Sequence, residues 1–401
     1  MADLPGILDN GLCFGCGGCV AAIRAPGLEI AMSAEGYLRP RPVPLNAAQR
    51  ETLDAVCAGR ALAHDATSPD YHDLWGPIRR LATGYATDPQ VRFRGSSGGV
   101  LSALTIHLLE TGEIDFVLAT GADPADAIGN VTTRRGSREE VIAAAGSRYA
   151  PSSPLADLET YLAAGRPFAF IGKPCDVATL RRMAKRDPRI DALIPYKLAF
   201  FCAGVPSRRG TQAVLDALGV EHDDVAQFQY RGDGWPGLAR ARRRDGSEES
   251  MTYEASWGRI LNKHLQFRCK ICPDGTGEFA DVACADAWYG KDGYPDFEER
   301  DGRSLIVART EAGVRLIAAA EARGAIAVDP LDVSEIARMQ PYQVTRKRNA
   351  LARSAAVWAA RRQGPRYAHL ALSRLSAKTS PKELLRNLWG TFRRSRGKRL
   401  A

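Results

Sequence analysis

The sequence predicts an α/β protein, a mixed sheet core with flanking helices behind a small cysteine-rich N-terminal segment. Two observations carry this. One apolar run ends at Cys175 (FAFIGKPCD) and another at Cys202 (IPYKLAFFCAG), and each is followed by a helical pattern, DVATLRRMAKR and SRRGTQAVLDALG. Strand–turn–helix repeated in this way belongs to α/β sheets. Residues 96–112, SSGGVLSALTIHLLETG, place Val100, Leu101, Leu104, Leu108 and Leu109 at helical spacing with Gly112 at the end. A strand-like IDFVLATG follows.

The chain has 401 residues, enough for about two or three domains. At 45% hydrophobic and 25% charged it can build a core, which excludes wholesale disorder. No stretch approaches the roughly 18 apolar residues of a membrane span. The start, MADLPGILDNGLCFGC, has neither a basic n-region nor an apolar h-region, so a cytoplasmic protein without a signal peptide is expected. The net charge of +9 is unevenly placed. From Arg346 onward there are 16 Lys+Arg and one acid, Glu383, so that part carries +15 and residues 1–345 carry 9 − 15 = −6. A uniformly basic nucleic-acid binder is therefore disfavoured. The segments expected are 1–75, 76–345 and a basic helical extension, 346–401.

Nine cysteines order the chemistry: Cys13, Cys16, Cys19, Cys57, Cys175, Cys202, Cys269, Cys272 and Cys284. In a cytoplasmic chain of this size, close cysteine pairs point to metal or redox chemistry rather than disulfides. CFGCGGC is C-x2-C-x2-C, the ferredoxin spacing that wraps three thiolates around one iron–sulfur cluster. Gly15, Gly17 and Gly18 let backbone N–H groups turn toward sulfur. Zinc, the alternative, normally shows two C-x2-C pairs about 15–20 residues apart, whereas the next pair here is 250 residues away (269 − 19). Inert thiols are the third reading. Position 23, where a ferredoxin run would place its fourth cysteine, is Ile23. Cys57, at the end of AAQRETLDAVCAG, is either that ligand or a small buried core residue. Cys175 and Cys202 sit just beyond the carboxyl ends of two strands, where α/β sheets do their chemistry. With Cys269 and Cys272 from CKIC they make the four thiolates a cubane needs. Cys284, in the strand-like EFADVACADAW, is expected in the core.

Two serines and two glycines at the start of the helix over 96–112 suit an anion such as a cofactor pyrophosphate, the alternative being an ordinary serine N-cap. Loops 146–154, 230–237 and 256–272 are rich in glycine, arginine and aromatics. RTEAGVRLIAAAEARG (309–324) reads as an amphipathic helix capped by Thr310. SPKELLRNLWGTFRRSRGKR begins with Ser380 as cap and Pro381 at the first helical position, and sets Leu384, Leu385, Leu388, Trp389 and Phe392 on one face. Such a basic amphipathic helix docks on an anionic membrane surface or a partner, or packs on its own core. There is no Walker loop, no HExxH and no GxGxxG. No side chain stands out as a general acid or base. Asp274 and Asp286 read as structural or cofactor-shell groups.

The strings SSGGVLSALTIHLLETGEID, AAGSRYAPS, GKPCDVATLR, FFCAGVPS, YRGDGWPG and CKICPDGTGEFADVACADAW occur in this order. Together they resemble the beta subunit family of coenzyme F420-reducing hydrogenase and F420-linked formate dehydrogenase, over about residues 76–340. The resemblance implies a flavin, usually FAD, beside a 4Fe–4S cluster, with Cys175, Cys202, Cys269 and Cys272 as ligands. Ser97, Gly98, Gly99, Ser147, Arg148 and Tyr149 match the segments expected around the flavin. It implies a second cluster on Cys13, Cys16 and Cys19, with a later cysteine in a C-P-G context in some members. Here that context is Cys57-Ala58-Gly59, with Ala in place of Pro.

A flavin with clusters makes an adaptor between one-electron carriers and a two-electron substrate. The function expected is an oxidoreductase whose partners are ferredoxin or another redox protein and a small-molecule substrate or deazaflavin, without nucleic acid. The competing readings are an electron-transfer subunit with no substrate chemistry of its own, and a zinc-bound nucleic-acid binder.

Overall fold

In the computed structural model, residues 3–65, 70–291, 294–361 and 363–397 are described. Eight strands form one mixed sheet: β1 (Arg80–Ala86), β2 (Phe116–Asp123), β3 (Asp126–Arg135), β4 (Phe168–Gly172), β5 (Tyr196–Phe200), β6 (Val282–Asp286), β7 (Ser304–Ala308) and β8 (Ile326–Pro330). Their spatial order is β8-β1-β7-β6-β5-β4-β2-β3. The middle four, β6-β5-β4-β2, are parallel, and every other pairing is antiparallel.

Side-chain alternation explains why β4 and β5 read as unbroken apolar runs. Ala169, Leu198, Val282 and Ile306 face a core completed by Leu104 and Leu108 of α1 (Val100–Glu110) and Leu316 and Ile317 of α4 (Glu311–Ala322). Phe168, Phe170, Ala199 and Ala283 face the other side, against Val177, Leu180 and Met183 of α2 (Pro174–Ala184). Both faces are covered, so both register positions are apolar except at Lys197 near the start of β5. Ala21 and Val56 join this second core, so the cysteine-rich segment is built onto the sheet's α2 side.

Thr310 caps α4, its hydroxyl accepting from the Gly313 N–H at 3.2 Å. Before α1 the cap is not a serine. Gly99 occupies that position in the left-handed region, with no side-chain cap. A three-stranded antiparallel sheet (Val225–Gln229, Leu238–Arg243, Glu248–Thr252) packs with α3 (Arg208–Leu218) beside the main sheet.

The boundaries expected from sequence cross shared structure. The 75/76 boundary falls inside the hairpin Tyr71–His72/Gly76–Pro77, and the 345/346 boundary inside the helix Pro341–Arg348. Arg366–Ala368, far into the C-terminal extension, forms a parallel pair with Ala61–Ala63. Among the described residues, no helix is long and apolar enough to cross a membrane.

Candidate redox site

Cys13 and Cys16 lie on a loop running into the short helix Gly18–Ile23, whose first turn carries Cys19. Gly15 (φ 79°) and Gly17 (φ 83°) adopt the left-handed region that turns N–H groups toward sulfur. The Gly15 N–H donates to Cys13 Sγ (3.3 Å) and the Gly18 N–H to Cys16 Sγ (3.4 Å). Gly17 is also held by space, since a Cβ there would stand 2.5 Å from Ala156 N. Cys57 follows the helix Ala47–Val56, whose Asn46–Gln49 capping box fixes its start. Burial pushes the thiols of Cys13, Cys16 and Cys19 upward, and a Cys57 thiolate raises each of them further. Four cysteines thus share one field.

The second quartet forms beyond the carboxyl ends of β4 and β5. Cys175 is in the first turn of α2, Cys202 follows β5, and Cys269 and Cys272 flank the end of the short helix Phe267–Lys270. The Val205 N–H donates to Cys269 Sγ at 3.4 Å. Burial, then Cys269, push Cys202 up to about 12 against the opposing Arg346. Burial likewise raises Cys175 and Cys272; Cys202 and Cys272 add to it at Cys175, and Cys269 at Cys272. Buried thiols in such a field keep their protons unless a cation neutralises them, and ligation to a metal does so. Among the described residues, no three His, Cys, Asp or Glu side chains converge as a single-ion site. In a cubane each thiolate binds a different iron, so its ligands need not close to the roughly 3.8 Å sulfur spacing of tetrahedral zinc.

The quartets are linked by protein. Cys16 Sγ lies 3.9 Å from Thr179 Oγ1, one turn after Cys175 on α2. Arg268, buried beside Cys269, donates to Gly59 O (3.2 Å) and Ala58 O (3.4 Å), the carbonyls that follow Cys57. Arg346 donates to Cys202 O (2.9 Å) and Ala203 O.

A cavity of about 1060 Å³ opens at the same end of the sheet. Ser97, Gly99, Ser147, Arg148 and Tyr149 line it together with Cys202. Gly98 does not line it. Its backbone (φ 81°) packs on residues 302–304, where a Cβ would come within 3.0 Å of the Arg303 Cα. Ser147 Oγ donates to Ser96 Oγ (2.8 Å), and Ser97 O accepts from Ser304 Oγ. Arg148 spends three N–H groups on Asn130 Oδ1, Phe228 O and Gly129 O (2.6–2.8 Å), so much of it braces the wall. Tyr149 packs at 4.6 Å on Trp257.

Several contacts around the cavity escape a reading of the sequence by motif. Arg231 forms a bidentate pair with Asp286 (3.0 and 2.6 Å) beneath the rings of Tyr253 and Trp288. Asp286 also accepts from Trp235 Nε1 (2.7 Å), which makes it a structural acceptor. The Asp274 carboxylate accepts the N–H groups of Thr276, Gly277 and Glu278 and shapes the turn after Cys272. Lys173 is buried between Ser152 Oγ (2.9 Å) and Asp176 Oδ2 (2.7 Å) and lines the cavity, with Cys175 and Cys202 in its field. The sequence points to Asp274 and Asp286 as structural or cofactor-shell groups and to the glycine- and aromatic-rich loops 230–237 and 256–272, but not to the Arg231–Asp286 pair or to Lys173. Cys284 is buried in β6 and borders the cavity, its thiol raised by burial alone.

Residues 81–159 match the family described as coenzyme F420 hydrogenase/dehydrogenase, beta subunit N-term, and residues 165–334 match the companion family for the C terminus of that beta subunit. The coenzyme F420 hydrogenase subunit beta of Methanococcus voltae is 28% identical over 255 residues, 60% of this chain and 80% of that one. The F420-dependent formate dehydrogenase 1 subunit beta of Methanococcus maripaludis is 28% identical over 247 residues, 60% of this chain but 58% of that one. The chloroplastic 7-hydroxymethyl chlorophyll a reductase of Oryza sativa subsp. japonica is 25% identical over 224 residues, 56% of this chain and 46% of that one. A chain from the F420-reducing NiFe hydrogenase complex of Methanosarcina barkeri shares the fold, with a TM-score of 0.56 at 19% identity over 75% of this chain and 98% of that one. The sheet that carries Cys175 and Cys202 on its strand ends lies within the matched residues, and the chain belongs to the coenzyme F420 hydrogenase/dehydrogenase beta subunit family.

Proposed function

We propose that this redox protein is an iron–sulfur flavoprotein oxidoreductase that couples a one-electron carrier of the ferredoxin kind to two-electron reduction or oxidation of a small molecule or deazaflavin. A bound FAD would exchange electrons singly or in pairs, and two 4Fe–4S clusters would exchange them singly. The observation that carries this reading is a shared wall. The stretch Phe200–Val205 lines the cavity, carries Cys202, and supplies the Val205 N–H to Cys269.

The chain's residues have distinct tasks in this reading. Cys175, Cys202, Cys269 and Cys272 would hold the cluster beside the flavin, and Cys13, Cys16, Cys19 and Cys57 the outer one. Ser97, Ser147 and Tyr149 would line the flavin site with Gly99, while Gly98 sets the backbone that shapes it. Arg148 and the Arg231–Asp286 pair keep the walls rigid, which preserves the position of a bound ring. The cationic Lys173, with Arg268 and Arg346, offsets the negative charge that thiolate ligation brings into a dry interior.

The hydrogenase and formate dehydrogenase relatives named above are beta subunits, which favours a second reading. In it the chain passes electrons to a partner protein and has no substrate chemistry of its own. Anaerobically purified protein should contain about one flavin and eight irons per chain, as expected for two cubanes. Reduction of a small acceptor by the isolated protein supports the enzyme. Full cofactor content without any acceptor supports the electron-transfer role. Colourless protein with stoichiometric zinc contradicts both.

A further inference from the structure

The C-terminal helix α6 (Pro381–Ser395) docks with its polar side inward. Its neighbour is α5 (Ala350–Arg361). Asn349 Nδ2, just before α5, donates to Glu383 Oε1 (2.6 Å). Arg353 donates to Asn387 Oδ1 through Nε (3.0 Å) and Nη2 (2.9 Å), and Arg361 Nε donates to Ser395 O. Thr391 and Ser395 are buried in the joint. The repeat 383, 387, 391, 395 is one face of a helix at four-residue spacing. Polar groups on α5 complete it.

Of the five apolar residues expected on one face, Leu384 is half-buried on the joint side, and the other four point away from the body. Leu385 is 66% exposed, Trp389 60% and Leu388 37%. Trp389 stacks on the half-buried Phe392 at 5.9 Å. At 100° per residue these four occupy a stripe about 100° wide. Lys382, Arg393 and Arg386 continue round the helix from the Trp389 edge, and Arg396, the residue just past the helix, closes the end of the stripe. None of the four has an ion-pair partner among the described residues. The only acid on the helix, Glu383, is turned inward to Asn349.

We propose that α6 is a docking surface for an anionic lipid bilayer, with Leu385, Leu388, Trp389 and Phe392 entering the headgroup boundary and the basic flank lying against lipid phosphates. The stripe is convex and narrow, as an interfacial helix requires, and Trp and Arg sit where an apolar body meets a charged layer. A second copy is a poor occupant. Stripe-to-stripe pairing would set the same basic flank against itself, since a two-fold interface repeats one patch on both partners. The contact would hold the second quartet close to the surface, because Arg353 also donates to Lys270 O (3.2 Å), within the C-x2-C pair.

The test uses the full chain with its cofactors, sedimented with vesicles of phosphatidylcholine alone or mixed with phosphatidylglycerol. The expected result is binding to the mixed vesicles only, weakened by salt, with each basic residue neutralised on the flank lowering partitioning about fivefold. A Leu385→Glu/Trp389→Glu double variant, altered only at exposed positions, should lose binding while its flavin and iron content stay unchanged. The proposal is overturned if the mixed vesicles are not bound. It is also overturned if the double variant binds as well as the parent, or if the parent is a dimer that this variant splits into monomers.

Discussion

Cys57 stands 38 residues beyond Cys19 (57 − 19), yet it lies close enough that a thiolate there raises Cys13, Cys16 and Cys19 alike. Cys57→Ala should cost about half the iron, or leave a three-iron centre visible by electron paramagnetic resonance, while flavin stays bound. An unchanged spectrum would make Cys57 a core residue. Arg268 has a different task. It bonds the two carbonyls after Cys57 and lies beside the second quartet, so one cation serves both sites. Arg268→Met should leave those carbonyls unpaired and destabilise the fold by about 1–3 kcal/mol. With two clusters bound as proposed, it should also lower both midpoint potentials, because each reduced, more negative cluster would lose a nearby positive charge. A redox titration followed by electron paramagnetic resonance reads this, and a shift in only one potential would rule out the shared role.

At the scale of elements, the C-terminal extension divides in two. Residues up to 377 are woven into the body: the strand Arg366–Ala368 pairs with Ala61–Ala63, and Leu370, Leu372 and Leu375 are buried. Each buried leucine contributes about 1.5–3 kcal/mol. Beyond them, α6 touches the body through a polar strip. A chain ending after Gly364 should therefore be insoluble or poor in iron. One ending after Thr379 should keep its iron, flavin and any activity with small acceptors. Comparing the two by solubility and metal analysis separates the structural part of the extension from the docking part. Equal behaviour would refute the division.

Over the whole molecule, one buried network ties the three segments together. Glu278, on the turn after the C-x2-C pair, receives Lys347 Nζ (2.6 Å) from the C-terminal side. It also receives Tyr71 O–H (2.7 Å) and pairs with His64 Nε2 (3.1 Å), both from the N-terminal side. Burial alone would raise Glu278, but Lys347 and His64 together outweigh it and hold the carboxyl at about 2. A depressed carboxylate stabilises the fold above its unfolded value near 4.5, and that stability is lost as pH falls toward 2. Glu278→Gln should destabilise the protein by about 3 kcal/mol at pH 7, since Lys347 stays buried without its counter-charge. At pH 4 the gap to the parent should narrow by about 1 kcal/mol. Urea unfolding at the two pH values checks both numbers, and a gap that widens at pH 4 would contradict the assignment.

Much of this was legible in the residues because it is local. The C-x2-C-x2-C loop, the C-x2-C pair, the runs ending at Cys175 and Cys202, and the caps at Thr310 and Ser380 depend on neighbours within a turn or a strand. There, spacing and side-chain chemistry are sufficient. What the tertiary structure decided depends on which distant segments meet. Gly98 shapes backbone instead of lining the cavity because residues 302–304 pack against it. Arg231 and Asp286 become one wall because a loop folds back over the end of β6. Arg268 stands between two cysteine sets because the C-terminal extension and the first segment close over the same helix. The amphipathic pattern of α6 was plain in the sequence, but its orientation was not. A period of 3.6 residues distinguishes two faces, and only the polar groups waiting on α5 determine which one turns inward.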